Sequence, residues 1–164
     1  MIHVYYGDGK GKTTAAIGLG VRAAGCGWKV SMVQFFKTSP TGELDGLKSL
    51  PGFSVYRFEH PHGFIDPSDP EMMDQLKADM QEAISFAEGD DCTMLILDEV
   101  LDAVHLGLID EQRLLTLCRF KPEVVLTGHF LPEKIKDAAD YITEMKKHRH
   151  PYDKGVPGRK GVEF

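Results

Sequence analysis

The chain has 164 residues, a formal net charge of −6 and 42% hydrophobic residues. That length predicts a single domain, 1–164, burying about 70% of its unfolded surface. The acidic balance argues against a general nucleic-acid binder. No apolar run approaches the roughly 18 residues that a membrane span needs. Three scattered cysteines (Cys26, Cys92 and Cys118) without a C-x-x-C pair fit a reducing compartment and no structural zinc. Met1 leads almost directly into a strand, so no signal peptide is expected and the chain is expected to be cytoplasmic.

Ile2-His3-Val4-Tyr5-Tyr6 is rich in β-branched and aromatic residues and predicts a strand. Gly7-Asp8-Gly9-Lys10-Gly11-Lys12-Thr13-Thr14 follows. From Thr13 a run of small residues predicts a helix that stops near Gly25 and Gly27. Strand, glycine loop and helix are the setting of a phosphate-binding P-loop. The usual spacing, G-x-x-x-x-G-K-[ST], would put the first glycine where Tyr6 stands; here the glycine comes one residue later, so the cradle is short. Gly7, Gly9 and Gly11 let backbone N–H groups converge on phosphate oxygens at a helix N-terminus. Lys12 would place a positive charge on the phosphates, and the Thr13 hydroxyl would ligate Mg²⁺. Asp8, Lys10 and Thr14 complete the segment expected to touch the nucleotide.

Further along, 29–36 and 54–58 predict a second and a third strand. Pro61, Gly63, Pro67 and Pro70 mark 59–70 as a loop. A helix is expected from about Pro70 to Ala87, with Met73, Leu76, Met80, Ile84 and Ala87 on its core face. Residues 93–97 are apolar without alternation, as when both faces of a strand are buried. Another strand is expected over 123–127 and a last one over 141–145. Strands alternating with helices imply an α/β fold, a mostly parallel sheet with helices on both faces, of the P-loop NTPase (RecA-like) class. Lys146, Lys147, Arg149, Lys154, Arg159 and Lys160 crowd the last twenty residues and read as an anion-binding tail or a solvated end, charge alone favouring the solvated end.

The apolar strand at 93–97 runs into Asp98-Glu99, a Walker B pattern. The carboxyl ends of strands in an open α/β sheet face the ligand crevice, so Asp98 is placed to hold Mg²⁺ directly or through water. Glu99 has several readings: activating water, orienting metal-bound water, or holding a ribose. No Asn-Lys-x-Asp segment supports guanine recognition, so ATP is the expected nucleotide.

Four more segments come in a fixed order: Thr127-Gly128-His129, Ala139-Asp140-Tyr141-Ile142-Thr143-Glu144-Met145, His150-Pro151-Tyr152-Asp153-Lys154-Gly155 and Arg159-Lys160-Gly161-Val162-Glu163-Phe164. With Gly9 to Thr14 and Leu97-Asp98-Glu99 they closely resemble the P-loop corrinoid adenosyltransferases, which act on cob(I)alamin or cob(I)yrinic acid a,c-diamide. The likeness runs from about Ile2 to Phe164. A P-loop alone is shared by a vast superfamily; the short loop with the T-G, A-D-x-x-T-E-M and H-P-Y-x-x-G elements is far more specific.

The resemblance implies transfer of the 5′-deoxyadenosyl group of ATP to cobalt(I) of a reduced corrinoid, with release of triphosphate, in adenosylcobalamin biosynthesis or salvage. Cobalt(I) is itself the nucleophile. Lys12, Thr13 and Glu99 are then the candidate catalytic side chains, with Thr13, Asp98 and Glu99 around Mg²⁺. Family members are described as holding ATP with its phosphate order reversed in the loop, and a short cradle suits a reaction at carbon instead of at the γ-phosphorus. Gln34 and Lys37 match the family's Q-F-x-K and Glu43 its G-E; they are expected near nucleotide or corrinoid. Phe64 matches an aromatic that shields the lower face of cobalt. A homodimer and an electron donor such as a reduced flavoprotein are implied, with no membrane and no nucleic-acid partner. The chain also departs from the pattern: His129 replaces the usual arginine after T-G, Asp8 stands where asparagine is common, Arg149 replaces a lysine, and the tryptophan after the loop phenylalanine is missing. Two rival readings are a nucleoside kinase of the thymidine-kinase kind, against which the missing zinc-ribbon cysteines count, and an ATP-binding regulatory module without chemistry.

Overall fold

The structure is a computed structural model and describes residues 1–37, 40–58 and 68–162. Six strands form one sheet: β1 (Ile2–Tyr6), β2 (Val30–Gln34), β3 (Phe53–Arg57), β4 (Met94–Asp98), β5 (Glu123–Gly128) and β6 (Tyr141–Glu144). Their order across the sheet is β3-β2-β4-β5-β1-β6, and every pairing is parallel. The expected strands all form, with ends moved by no more than two residues.

The sheet is covered by α1 (Lys12–Gly25), α2 (Gly42–Lys48), α3 (Pro70–Gly89), α4 (Val100–His105), α5 (Glu111–Phe120) and α6 (Glu133–Ala138). Alternating strand residues feed two separate apolar layers. Val30, Met32, Met94, Ile96 and Val125 pack with Ala16 and Ala23 of α1, Leu47 of α2 and Phe53. Val33, Leu95, Leu97, Val124 and Leu126 pack with Leu76, Met80 and Ile84 of α3, Leu101 of α4, Leu114 of α5 and Ile135 of α6. Both faces are thus buried, and for that reason β4 and β5 read as continuous apolar runs. Cys92 and Cys118 belong to the second layer, where burial pushes their thiols up to about 11 and about 12. They are packing residues, not nucleophiles.

Helix α3 starts at Pro70 for a local reason. Asp69 caps it, its carboxylate accepting from the backbone N–H of Glu71 at 3.0 Å and of Met72 at 3.2 Å, and proline tolerates the first helical position. Helices α2, α5 and α6 have no counterpart in the sequence reading, and α4 only the expectation that His105 sits on a helix face. The six residues of α4 and of α6 are too few to show a 3.6-residue period. Among the described residues, no helix is long and apolar enough to cross a membrane. Because all strands are parallel, the carboxyl ends of β1, β2, β3, β4 and β5 share one edge, and the candidate site lies there.

Candidate active site

The turn from β1 into α1 is shaped by glycine. Gly7 (φ +110°) and Gly11 (φ +116°) take backbone conformations that side chains resist. Two neighbours hold the loop. The Gly7 N–H donates to the Gly128 carbonyl at 3.2 Å, and the Gly9 N–H to the Met145 carbonyl at 2.6 Å. A Cβ on Gly7 or Gly9 would lie 2.6 Å from that Met145 oxygen, so the two chain segments touch backbone to backbone. Lys12 folds back over the loop, its Nζ donating to the carbonyls of Gly7 at 2.7 Å and Gly9 at 3.0 Å. Asp8 accepts from the Lys147 N–H at 2.9 Å, and this bond lowers its pKa.

Beside the loop, the tips of β2, β4 and β5 form a buried polar corner. Gln34, Asp98 and Thr127 are at most 1% exposed. Asp98 Oδ1 accepts from Thr13 Oγ1 at 2.9 Å and from Thr127 Oγ1 at 2.7 Å. Its Oδ2 accepts from Lys37 Nζ at 2.6 Å and from Gln34 Nε2 at 3.4 Å. Thr127 in turn accepts from the Glu99 backbone N–H at 2.8 Å. Gln34 Oε1 accepts from Arg57 Nε at 2.5 Å, and Arg57 reaches Thr41 Oγ1 at 2.7 Å and Glu43 at 3.7 Å. A buried carboxylate this well partnered is held in one orientation.

Electrostatics separate the roles. Burial pulls the Lys12 pKa down, opposed by Asp102, Glu99, Asp8 and Asp98. Burial pushes Glu99 up to about 7; Asp98 and Asp102 add to the rise, while Lys37 and His129 oppose it. Glu99 also has φ +66°, and Phe36, at the tip of β2, has φ +58°. Among the described residues these two are the non-glycines with positive φ, and both lie at this corner. Such strain gathers at functional sites.

A cavity of about 770 Å³ opens over the loop and this corner, lined in part by Lys12, Thr13, Lys37, Glu43, Glu99 and His129. A family model for the ATP:corrinoid adenosyltransferases BtuR/CobO/CobP matches residues 1–164. The chain belongs to this family. It is 33% identical over 167 residues to a corrinoid adenosyltransferase of Pseudomonas aeruginosa, covering 98% of this chain and 82% of that protein. It is 30% identical over 170 residues to a corrinoid adenosyltransferase of Escherichia coli K12, covering 100% of this chain and 85% of the other. It is 30% identical over 173 residues to the corrinoid adenosyltransferase CobA of Salmonella typhimurium, with the same two shares of 100% and 85%.

In this adenosyltransferase the expected residues Asp8, Gly9, Lys10, Gly11, Lys12, Thr13, Thr14, Lys37, Glu43, Glu99 and His129 line one cavity. Gly7, Gln34, Asp98, Thr127 and Gly128 are not part of that lining; Gly7 accepts from Lys12, Asp98 from Thr13, and Gln34, Thr127 and Gly128 bond to Asp98 or Gly7. Phe64 falls outside the described residues. His129 meets an acid: its backbone N–H donates to Asp102 Oδ1 at 2.9 Å, and its Nδ1 lies 3.0 Å from Asp102 Oδ2. Asp102, Thr41 and Arg57 were not found from sequence. Arg57 ends β3 in register with Gln34 at the end of β2, a pairing that local spacing does not announce. The basic tail is not merely a solvated end. Its charged side chains are exposed, but His150, Gly161 and Val162 line the cavity, and the Val162 carbonyl accepts from Lys10 Nζ at 2.7 Å.

Proposed function

We propose that the whole reaction is carried by one domain, residues 1–164, which binds ATP by its triphosphate and presents the ribose 5′-carbon to cobalt(I) of a reduced corrinoid. The cobalt electron pair forms the cobalt–carbon bond, the bond from C5′ to the phosphate oxygen breaks, and inorganic triphosphate leaves with those electrons. One observation carries the reading: the short cradle with Lys12 and Thr13 opens into the same cavity as the Asp98 corner.

The enzyme needs no nucleophile of its own, so its task is placement and charge. Aligning the two substrates is worth about 7–11 kcal/mol. The Gly7 and Gly9 N–H groups, expected on phosphate, are taken up by the Gly128 and Met145 carbonyls, so the remaining loop N–H groups and Lys12 meet the charge that grows on the departing triphosphate. Thr13 Oγ1 and Asp98 Oδ1, oxygen donors 2.9 Å apart, fit a hard cation that takes its remaining ligands from phosphate and water. Mg²⁺ held there with phosphate oxygens would add positive charge to the leaving group. Glu99 faces the same corner and either orients metal-bound water or holds the ribose. Gln34 and Arg57 fix Asp98 and the β2–β3 rim. The reading extends to a cytoplasmic homodimer supplied with electrons by a reduced flavoprotein.

The test is an anaerobic assay with chemically reduced corrinoid and Mg-ATP. The expected products are a light-sensitive carbon–cobalt species and one triphosphate per alkyl group formed. ADP formed from ATP and a nucleoside, with no alkylated corrinoid, would point to a nucleoside kinase instead.

A further inference from the structure

The ammonium of Lys37 occupies the corner that a divalent ion would need. Its Nζ lies 2.6 Å from Asp98 Oδ2, 3.0 Å from Thr13 Oγ1 and 3.8 Å from Glu99 Oε1. These are the three side chains assigned to the metal. The placement is built in. Phe36 (φ +58°) turns the chain at the end of β2, and the Phe35 N–H donates to the Asp98 carbonyl at 3.0 Å, which sets the turn against β4. Asp98 is fully buried, and a buried carboxylate is held best with a cation beside it. Lys37 supplies the cation.

We propose that Lys37 is a placeholder for the metal, a positioning residue that keeps the Thr13–Asp98–Glu99 corner assembled in the empty enzyme and has to leave before a divalent ion can enter. A divalent ion on Thr13 Oγ1 and Asp98 Oδ1 would crowd an ammonium that lies 3.0 Å from the same Thr13 oxygen and 2.6 Å from the other Asp98 oxygen, and the like charges repel. A bare metal ion therefore competes with Lys37. A metal ion arriving on a polyphosphate does not, because the polyanion in the same cavity gives the displaced ammonium a new partner. Lys37 thereby couples metal entry to nucleotide entry and holds an empty site closed to metal alone.

This inference rests on the proposal that the site takes a metal triphosphate, and the test separates the two. Mn²⁺ binding is measured by electron paramagnetic resonance on the purified enzyme, with and without inorganic triphosphate, for the wild type, Lys37→Met and Lys37→Arg; thermal melting checks that each is folded. Without triphosphate, Lys37→Met is expected to bind Mn²⁺ about tenfold or more tightly than the wild type, since a like charge has been removed from the site. Lys37→Arg, which keeps the charge, is expected to bind as weakly as the wild type. With triphosphate, the wild type is expected to bind Mn²⁺ tightly. Equal Mn²⁺ affinity of wild type and Lys37→Met without triphosphate overturns the placeholder while leaving the metal site standing. Failure of the wild type to bind Mn²⁺ even with triphosphate overturns both.

Discussion

Glu99 carries two strains at once. Its φ of +66° is one that a side chain adopts at a cost of about 1–3 kcal/mol, and its carboxylate is pushed by burial up to about 7. The folded pKa lies above the unfolded value near 4.5, so between these two pH values the folded protein binds more protons than the unfolded chain. Stability is therefore lost as pH rises from about 4.5 to about 7 and stays lost above. Glu99→Gln keeps the shape and removes the titration. It is expected to stabilise the nucleotide-free enzyme by about 1–3 kcal/mol at pH 8 and hardly at all near pH 4.5. Chemical denaturation at the two pH values reads the difference, and an equal effect at both would contradict the assignment. An acid that changes charge near neutrality can also change how strongly the corner holds a cation. In the proposed function that gives Glu99 a role beyond packing.

At the scale of elements, the site depends on how closely α4 lies on β5. A Cβ on Gly128 would come 2.6 Å from Leu101 Cβ and 3.2 Å from the Asp102 backbone nitrogen. Those atoms belong to the helix frame and cannot swing aside. Gly128→Ala is expected to destabilise the protein by about 1–3 kcal/mol, as overpacking does. The variant should also loosen the Asp102–His129 pair, read as a shift in the His129 imidazole signals by NMR. Unchanged stability would show that α4 is free to move. The same contact explains what could be read in advance. β4 and β5 were legible because both of their faces are buried, and Lys12, Thr13 and Asp98 because their spacing is local. Helices α4 and α6 are too short to show a period. Asp102 and Arg57 join the site only through contacts between distant segments, which leave no mark in local spacing. His129 was legible as a departure from arginine, but its acidic partner was not.

Taken as a whole molecule, the protein folds the segment after β6 back onto the glycine loop that follows β1. The chain after β6 accepts from Gly9 through the Met145 carbonyl and donates to Asp8 through the Lys147 N–H. The tail then returns Val162 to Lys10. Gly9 thus spends its N–H on the protein itself, and the loop is one residue shorter than usual, so the cradle differs from one built to expose a γ-phosphate for transfer. In the present account the loop grips a leaving polyanion while the sugar faces outward toward the second substrate. The most direct measurement is the structure of the enzyme with ATP and Mg²⁺. The account predicts the triphosphate seated over Lys12 and Thr13 with the ribose 5′-carbon facing the open cavity. A terminal phosphorus facing that cavity, with the ribose turned away from it, would contradict the account.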